Sequence, residues 1–166
     1  MLAFDWAKPP LSLNDRPKHW AARGAQVAKV RELAATLCRE QITAGNLDVL
    51  DPVVVTLVWF APDRRARDAD NPVATLKPVC DGLVDAGLVP DDTPEWIDKR
   101  PVQIVYRKGE PGVELHIEAE AEVVARAARA IHASSGDAKR MGVAWCEHMA
   151  RVALDAARFA PLPPIV

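Results

Sequence analysis

The feature that most constrains the fold of this chain is the apolar run VVVTLVWF, from Val53 to Phe60. The run is rich in β-branched and aromatic residues, which favour strands, and it is too short for a buried helix. Its apolar residues follow one another without a polar residue at every second position, so neither face of the strand suits exposure to water. The run therefore predicts a strand that other elements largely cover on both faces.

Other elements are predicted on either side of this strand. A short strand is predicted in LAFDW, residues 2–6, and a helix from Trp20 to about Ile42, where apolar residues recur at helical spacing until Gly45-Asn46. The segment from Pro101 to Glu120 alternates apolar and polar residues around Gly109 to Gly112, which predicts a β-hairpin. This mixture predicts an α+β fold, in which a small mixed or antiparallel sheet packs with helices.

A second helix is predicted from about residue 76 to 86. Pro72 and Pro78 cannot both lie inside one regular helix, so Thr75 is expected as the N-cap, which places Pro78 in the first turn. The apolar residues of this stretch form one stripe, and Gly87 is expected to end the helix.

The last part of the chain, residues 121–166, is Ala-rich and helical, with an interruption at SSGD, residues 134–137. We therefore expect a domain over residues 1–120 and a helical extension beyond it. Apolar residues in the second half of the extension recur at alternating steps of four and three, which predicts a narrow apolar seam. The seam either packs on its own domain or contacts a partner chain. Its residues are Met141, Trp145, Met149, Val152, Ala156 and Phe159.

Length, charge and cysteine content exclude several classes of protein. With 166 residues the chain is too short for two catalytic domains, and its net charge of −2 gives no global signature of nucleic-acid binding. Three widely spaced cysteines without a CxxC pair indicate neither a disulfide framework nor a zinc site. No stretch approaches the ~18 apolar residues of a membrane span, and the N-terminus lacks the pattern of a secretory signal. We expect a cytoplasmic protein that does not contact membranes.

The central strand leads to the segment RRARDADNP, residues 64–72, which combines basic and acidic side chains. In an extended segment, residues two apart point to the same side, so Asp68 and Asp70 can present both carboxylates to one point. Such oxygen ligands suit Mg²⁺ or Mn²⁺, which takes its other ligands from water and phosphate. The segment therefore predicts a metal site that holds a phosphate-containing polyanion.

A third carboxylate is available from Asp91 or Asp92. The helix from about residue 76 to 86 is roughly 16 Å long. The residues that follow Gly87 can span at most roughly 17 Å before the acidic pair, so the chain can return just far enough. Three aspartates would then converge, and the helix between them could aim Lys77 toward them.

On the residues alone, plainer interpretations stay open. Asp68 and Asp70 could only solvate a loop or cap a helix, and Lys77 could be an ordinary solvated residue. A D-x-D pair after a strand also occurs in nucleotide-sugar transferases, although this chain has no Gly-rich phosphate loop. An EF-hand is excluded, because Pro72 and Val79 stand where oxygen ligands belong.

The order and spacing of these residues resemble a known family. RRARDADN, followed by KPVCDGLVDAGLVPDD from Lys77 to Asp92, is similar to the core motif of the RusA family of Holliday-junction resolvases. In that motif a basic run leads to D-x-D-N, then K-x-x-x-D, a helix, A-G and D-D. KPPLSLN, residues 8–14, also resembles the Pro-rich N-terminal loop of the family. The resemblance covers about residues 3–120.

The resemblance implies a homodimeric, Mg²⁺-dependent endonuclease that nicks four-way DNA junctions in phage or prophage recombination, with Mn²⁺ as a substitute ion. It makes Asp68, Asp70 and Asp92 the metal ligands, with Asp91 as the substitute for Asp92. It makes Lys77 the catalytic lysine, provided that the loop before this residue is longer than in the best-known members. Ala74 occupies the position that an ungapped comparison would give to the lysine.

Basic residues near the acidic motif are the candidate DNA contacts, because they can bind phosphates while the acids hold the metal. They are Arg16, Lys18, Arg64, Arg65 and Arg67. A twofold dimer would place two sites across a roughly twofold junction and permit paired nicks.

We expect replacement of Lys77 to slow cleavage far more than replacement of Lys99. The alternative function is a module that binds branched DNA without cutting it.

Overall fold

The chain divides after Ile117 into two compact units, close to the boundary at residue 120 that the sequence predicts. The structure is a computed structural model, and it describes residues 1–15, 20–49, 51–134 and 142–159. In these residues the strands form a five-stranded mixed sheet and four helices accompany it along the chain, so the predicted α+β class is confirmed.

In the first unit two strand–helix pairs are followed by three strands. These elements are β1 (Leu2–Phe4), α1 (Trp20–Thr43), β2 (Val53–Ala61), α2 (Val73–Asp85), β3 (Ile97–Lys99), β4 (Gln103–Tyr106) and β5 (Gly112–Ala119). Two further helices follow in the second unit. They are α3 (Glu120–Ser134) and α4 (Val143–Phe159).

Strand β2 lies inside the sheet, as its apolar run predicts. The strand order is β1-β5-β2-β3, and β4 also pairs with β2. The first half of β2 pairs in parallel with β3, with Val53 opposite Ile97, and its second half pairs in parallel with β4. Only Thr56 and Trp59 of β2 are partly exposed, so both faces of the strand are covered.

The predicted hairpin between β4 and β5 is wrong. Both strands form, but β2 lies between them, because β4 pairs with β2 on one side and β5 lies next to β2 on the other. β5 instead pairs antiparallel with β1, with Leu2 opposite Leu115. Alternation of apolar and polar residues determines which face of a strand is buried, and it does not determine which strand becomes the partner.

Helices α1 and α2 pack together at very short range. A Cβ atom placed on Gly82 of α2 would lie 2.5 Å from the carbonyl oxygen of Arg31 and 2.8 Å from the Cβ of Ala34. The Arg31 guanidinium also binds the Asp85 carboxylate through Nε at 2.5 Å and Nη2 at 2.6 Å. Hydrogen bonding to Arg31 holds the pKa of Asp85 below its usual value. The close contact requires glycine at position 82.

The structure agrees with the predicted end of α2 and not with its predicted start. Gly87 ends the helix as predicted, because it adopts φ +79° and the N–H groups of Gly87 and Leu88 bond to the carbonyls of Val84 and Leu83. The predicted start is wrong, since α2 begins at Val73 with Pro72 as its N-cap. Thr75 is not the cap, because its hydroxyl bonds outside the helix, and Pro78 lies inside the helix with its ring buried.

The second unit contains a small core of its own between α3 and α4. Val124 and Ala128 of α3 pack against residues of α4 that recur at steps of four, namely Cys146, Ala150 and Leu154.

The predicted seam on α4 is therefore only partly correct. Trp145 packs against the core of the second unit, but Met149 is 38% exposed and Val152 is 47% exposed. Met141 and the side chains of Ala156 and Phe159 lie outside the described residues. Steps of four rotate the buried face away from Met149 and Val152, so the helix buries a different stripe from the one that the alternating steps indicate. A partner contact through this face stays a prediction.

All three cysteines of the chain lie among the described residues. Cys38, Cys80 and Cys146 are buried. Burial raises the pKa of the Cys80 thiol to about 12, so this residue stays protonated near neutral pH. Among the described helices, none is both long and apolar enough to cross a membrane.

Candidate functional site

The D-x-D-N motif forms a turn and not the extended segment that the sequence predicts. The backbone N–H of Asp70 bonds to Oδ1 of Asp68 at 3.0 Å, and the N–H of Asn71 reaches the carbonyl oxygen of Asp68 at 3.3 Å. The N–H of Val73 bonds to the carbonyl oxygen of Asp70 at 3.1 Å. Asp side chains favour such local bonds, which is the reason for the difference. Asp68 and Asp70 thus lie together on an exposed turn at the start of α2.

After α2 the chain folds back along this helix, so that Asp92 reaches Lys77, as the spacing of the motif predicts. Nζ of Lys77 lies 2.9 Å from Oδ2 of Asp92 and 2.8 Å from Oδ1 of Asp81, which is one helical turn further along α2. Hydrogen bonds to Asp81 and then to Asp92 raise the pKa of Lys77, so this lysine is cationic at neutral pH. Lys77 and Asp92, the second residue of the acidic pair, therefore lie in one site.

Lys99 belongs to the same site, although the sequence analysis gave it no role there. Its Nζ lies 2.8 Å from the carbonyl oxygen of Asp92 and 3.1 Å from Oδ2 of the same residue. Hydrogen bonds from Lys77 and then from Lys99 hold the pKa of Asp92 below its usual value. Because both lysines bind the same carboxylate oxygen, the structure gives no reason to expect that replacement of Lys77 slows cleavage far more than replacement of Lys99. Only the pairing of β3 with β2, which positions Lys99 opposite Val55, would have revealed this residue.

In the described part of the chain, Asp68, Asp70 and Asp92 do not gather into the predicted three-carboxylate group. Within the residues that the structure describes, no three His, Cys, Asp or Glu side chains lie close enough together to hold a metal ion. The carboxylate of Asp92 is occupied by two ammonium groups, and Oδ1 of Asp91 accepts a bond from the N–H of Asp92 at 2.6 Å. Asp68 and Asp70 still fit Mg²⁺ chemically, since this ion commonly takes one or two carboxylates together with water and phosphate.

The arginines that follow β2 differ in exposure and in the groups that they contact. Arg67 is largely buried, with Nη2 at 2.7 Å from Oδ1 of Asp63 and its guanidinium 4.9 Å from the centre of the Trp59 ring, so Arg67 anchors the loop. Arg64 lies over the ring of Tyr106, and the side chain of Arg65 is 86% exposed. Arg64 and Arg65 are therefore the better candidates for phosphate contacts. Arg16 and Lys18 lie outside the described residues.

The Pro-rich loop, residues 8–14, is bonded to the region of the D-x-D-N turn. The buried hydroxyl of Thr75 donates to the carbonyl oxygen of Leu11 at 2.9 Å and accepts from the N–H of Leu11 at 3.0 Å. The N–H of Leu13 donates to the carbonyl oxygen of Asn71 at 3.1 Å. One threonine hydroxyl therefore satisfies both backbone groups of Leu11 and holds the two segments together.

Replacement of Thr75 by valine is expected to lower the free energy of unfolding by about 2 kcal/mol, because both backbone groups of Leu11 would lose their partner in a buried place. Urea denaturation measures the change, and faster hydrogen exchange at the Leu11 amide is expected alongside it. Thr75→Ser is the matched control, since it keeps the hydroxyl and loses only a methyl group. Equal stability of the valine and serine variants would contradict this role for the hydroxyl.

A cleft of about 370 Å³ separates the Pro-rich loop from the turn. Pro9 and Pro10 form part of one wall, Asp68 and Asn71 form part of the other, and Trp59 of β2 also lines the space. The indole N–H of Trp59 donates to the carbonyl oxygen of Ala7 at 3.2 Å. The cleft thus opens directly beside the acidic motif.

Comparison with known proteins gives a limited likeness. No family model matches the chain. A protein of Xylella fastidiosa (strain Temecula1 / ATCC 700964), described as an uncharacterized protein, is 33% identical to the chain over 86 residues. The match covers 51% of the chain and 56% of that relative, so the chain spans little more than half of the relative's length. This similarity assigns no activity to the chain.

Proposed function

We propose that the protein is a metal-dependent endonuclease that cuts branched DNA, like the RusA family that its motif resembles. The observation that carries the proposal is the contact of 2.9 Å between Nζ of Lys77 and Oδ2 of Asp92. These residues are separated by α2 and the loop after it, and they stand at matching positions of the family motif. Their contact supports the interpretation that the lysine and the second acidic pair of the motif belong to one site and are not unrelated surface charges.

In this proposal Asp68 and Asp70 hold Mg²⁺ from the turn before α2, with Mn²⁺ as a substitute ion. The bound ion would supply polarisation of the phosphate and a more acidic water. Lys77 contributes a fixed positive charge, because its bonds to Asp81 and Asp92 position Nζ and keep it protonated. Such a charge can stabilise the negative charge that grows on the phosphate oxygens during hydrolysis.

The positive charge needed to bind DNA would come from the exposed arginines of the loop after β2. Arg65 extends into solvent, and Arg64 lies nearby over Tyr106, so both can contact phosphates without breaking a buried contact. A homodimer would present two copies of this surface to a four-way junction, which suits paired nicks.

A second candidate, a module that binds branched DNA without cutting it, is favoured by one specific observation. Within the described part of the chain no three-carboxylate ligand group is present, and Asp92 binds two lysines. A site of this kind can bind phosphate through its lysines without supplying a complete set of metal ligands.

Four-way, flap and linear DNA, each incubated with Mg²⁺ or with EDTA, separate the two candidates. We expect paired nicks in the four-way junction with Mg²⁺, none with EDTA, and linear duplex that stays intact. Junction binding without nicks in either Mg²⁺ or Mn²⁺ would favour the binding module. Equal affinity for linear and branched DNA would contradict both candidates.

A further inference from the structure

The cleft beside the acidic motif is held open by hydrogen bonds from several directions. Leu11 is bonded on both sides to Thr75, Gln26 Nε2 donates to the carbonyl oxygen of Pro10 at 2.6 Å, and Trp59 Nε1 donates to Ala7. Four hydrogen bonds, at Ala7, Pro10 and Leu11, thus fix the Pro-rich wall. A cleft that is already formed in the free protein does not have to be ordered when a ligand binds.

The cleft combines flat apolar groups with carboxylates. Pro9, Pro10 and Trp59 offer apolar surface to a flat ring, and the Arg67 guanidinium, which lies 4.9 Å from the centre of the Trp59 ring, shares this space. Asp15 and Asp68 add negative charge to the lining, and Lys8 and Arg67 add positive charge. The carboxylates can accept hydrogen bonds from the amino groups of a base, and the two cations can contact the phosphate of the same nucleotide. The chemistry of the lining therefore suits a single nucleotide, whose base meets the apolar surface and the carboxylates.

The volume of about 370 Å³ limits the ligand further. It lies near the lower end of the range for small-molecule sites, so one nucleotide fits whereas a duplex does not. The base must then be unpaired. Bases that have already lost part of their stacking cost least to move into such a pocket, and a branch point in DNA supplies bases of that kind.

We infer that the cleft between residues 8–12 and the D-x-D-N turn binds one unpaired nucleobase of a DNA strand next to the proposed cleavage site. The inference rests on the proposed function in taking branched DNA as the ligand. Because Asp68 belongs both to the cleft wall and to the acidic turn, a base held here places its own phosphate close to the turn. The cleft would thereby select the strand position that is cut.

Binding of a four-way junction in EDTA tests the inference without requiring cleavage. Fluorescence anisotropy compares an ordinary junction with one whose nucleotides at the branch point are abasic, for the wild type and for Trp59→Leu. We expect each change alone to weaken binding roughly tenfold, the typical effect of losing one stacked base, and both together to weaken it no further. Arg65→Ala is the control, since loss of a phosphate contact should weaken binding of both junctions equally.

Several outcomes would overturn the inference. They are equal binding of the two junctions by the wild type, absence of DNA binding, and losses that add when Trp59→Leu and the abasic junction are combined. If Trp59→Leu does not fold, Ala66→Leu replaces it, because Ala66 is exposed and lines the cleft, so a larger side chain fills the space without opening the core. Base-dependent binding without cleavage in Mg²⁺ would leave the inference standing and contradict the endonuclease proposal.

Discussion

Replacement of Asp70 by asparagine is expected to slow Mg²⁺-dependent cleavage of a four-way junction by more than about 100-fold. Loss of a group that only orients a metal ligand lowers activity by up to about 100-fold, and loss of the ligand itself should cost at least as much. Junction affinity is expected to stay unchanged or to rise, since the change removes a negative charge near the DNA phosphates. Asp70 is exposed on the turn, so the variant should fold normally. Single-turnover cleavage and anisotropy in EDTA measure the two effects separately.

Asp48→Asn is the matched control for this experiment. Asp48 is also exposed, but it precedes β2, whereas Asp70 follows it, so the two aspartates lie beyond opposite ends of the strand. The same change of charge at Asp48 should leave cleavage within about twofold of the wild type, as is usual for surface substitutions. Normal cleavage by the Asp70 variant would remove this residue from the proposed site.

Replacement of Gly82 by alanine is expected to lower the free energy of unfolding by about 2 kcal/mol, the usual size of an overpacking effect. The added Cβ would approach the backbone of Arg31 to 2.5 Å, and a backbone carbonyl cannot rotate away as a side chain can. Helices α1 and α2 would have to separate, although alanine favours the helical conformation by about 1 kcal/mol over glycine.

Gly24→Ala isolates the packing effect from helix propensity. Gly24 lies in α1, and a Cβ at that position would meet no other atom within 4 Å. This control is expected to raise the free energy of unfolding by about 0.5–1 kcal/mol. Urea denaturation of both variants gives the comparison. A Gly82 variant as stable as the Gly24 variant would contradict the close packing of α1 on α2.

Features set by short stretches of residues could be predicted from the sequence. The apolar run of β2 indicates burial on both faces, and Gly87 marks the end of α2 because its φ of +79° suits glycine. The partner of each strand could not be predicted, because alternation in β4 and β5 is equally compatible with a hairpin and with pairing to β2. The start of α2 was missed because the hydroxyl of Thr75 bonds to Leu11 and does not cap the helix.

Some features of the candidate site could likewise be predicted from the sequence, and others could not. The contact between Lys77 and Asp92 could be anticipated from helix length and chain reach, which are local quantities. Lys99 could not be found, because its position depends on the pairing of β3 with β2. The turn at Asp68 follows from a side-chain bond that competes with the extended conformation, and the sequence does not show which of the two prevails.

The pairing of β1 with β5 has a consequence for the order in which the protein forms. Leu2 meets Leu115, so the first strand stays without its partner until synthesis has passed the last strand of the sheet. The Pro-rich loop follows β1, but its bonds to Thr75, Gln26 and Trp59 involve no residue of β5. Contacts between residues so distant in the chain slow folding, so this edge of the sheet closes late, after the chain that forms both walls of the cleft has been made.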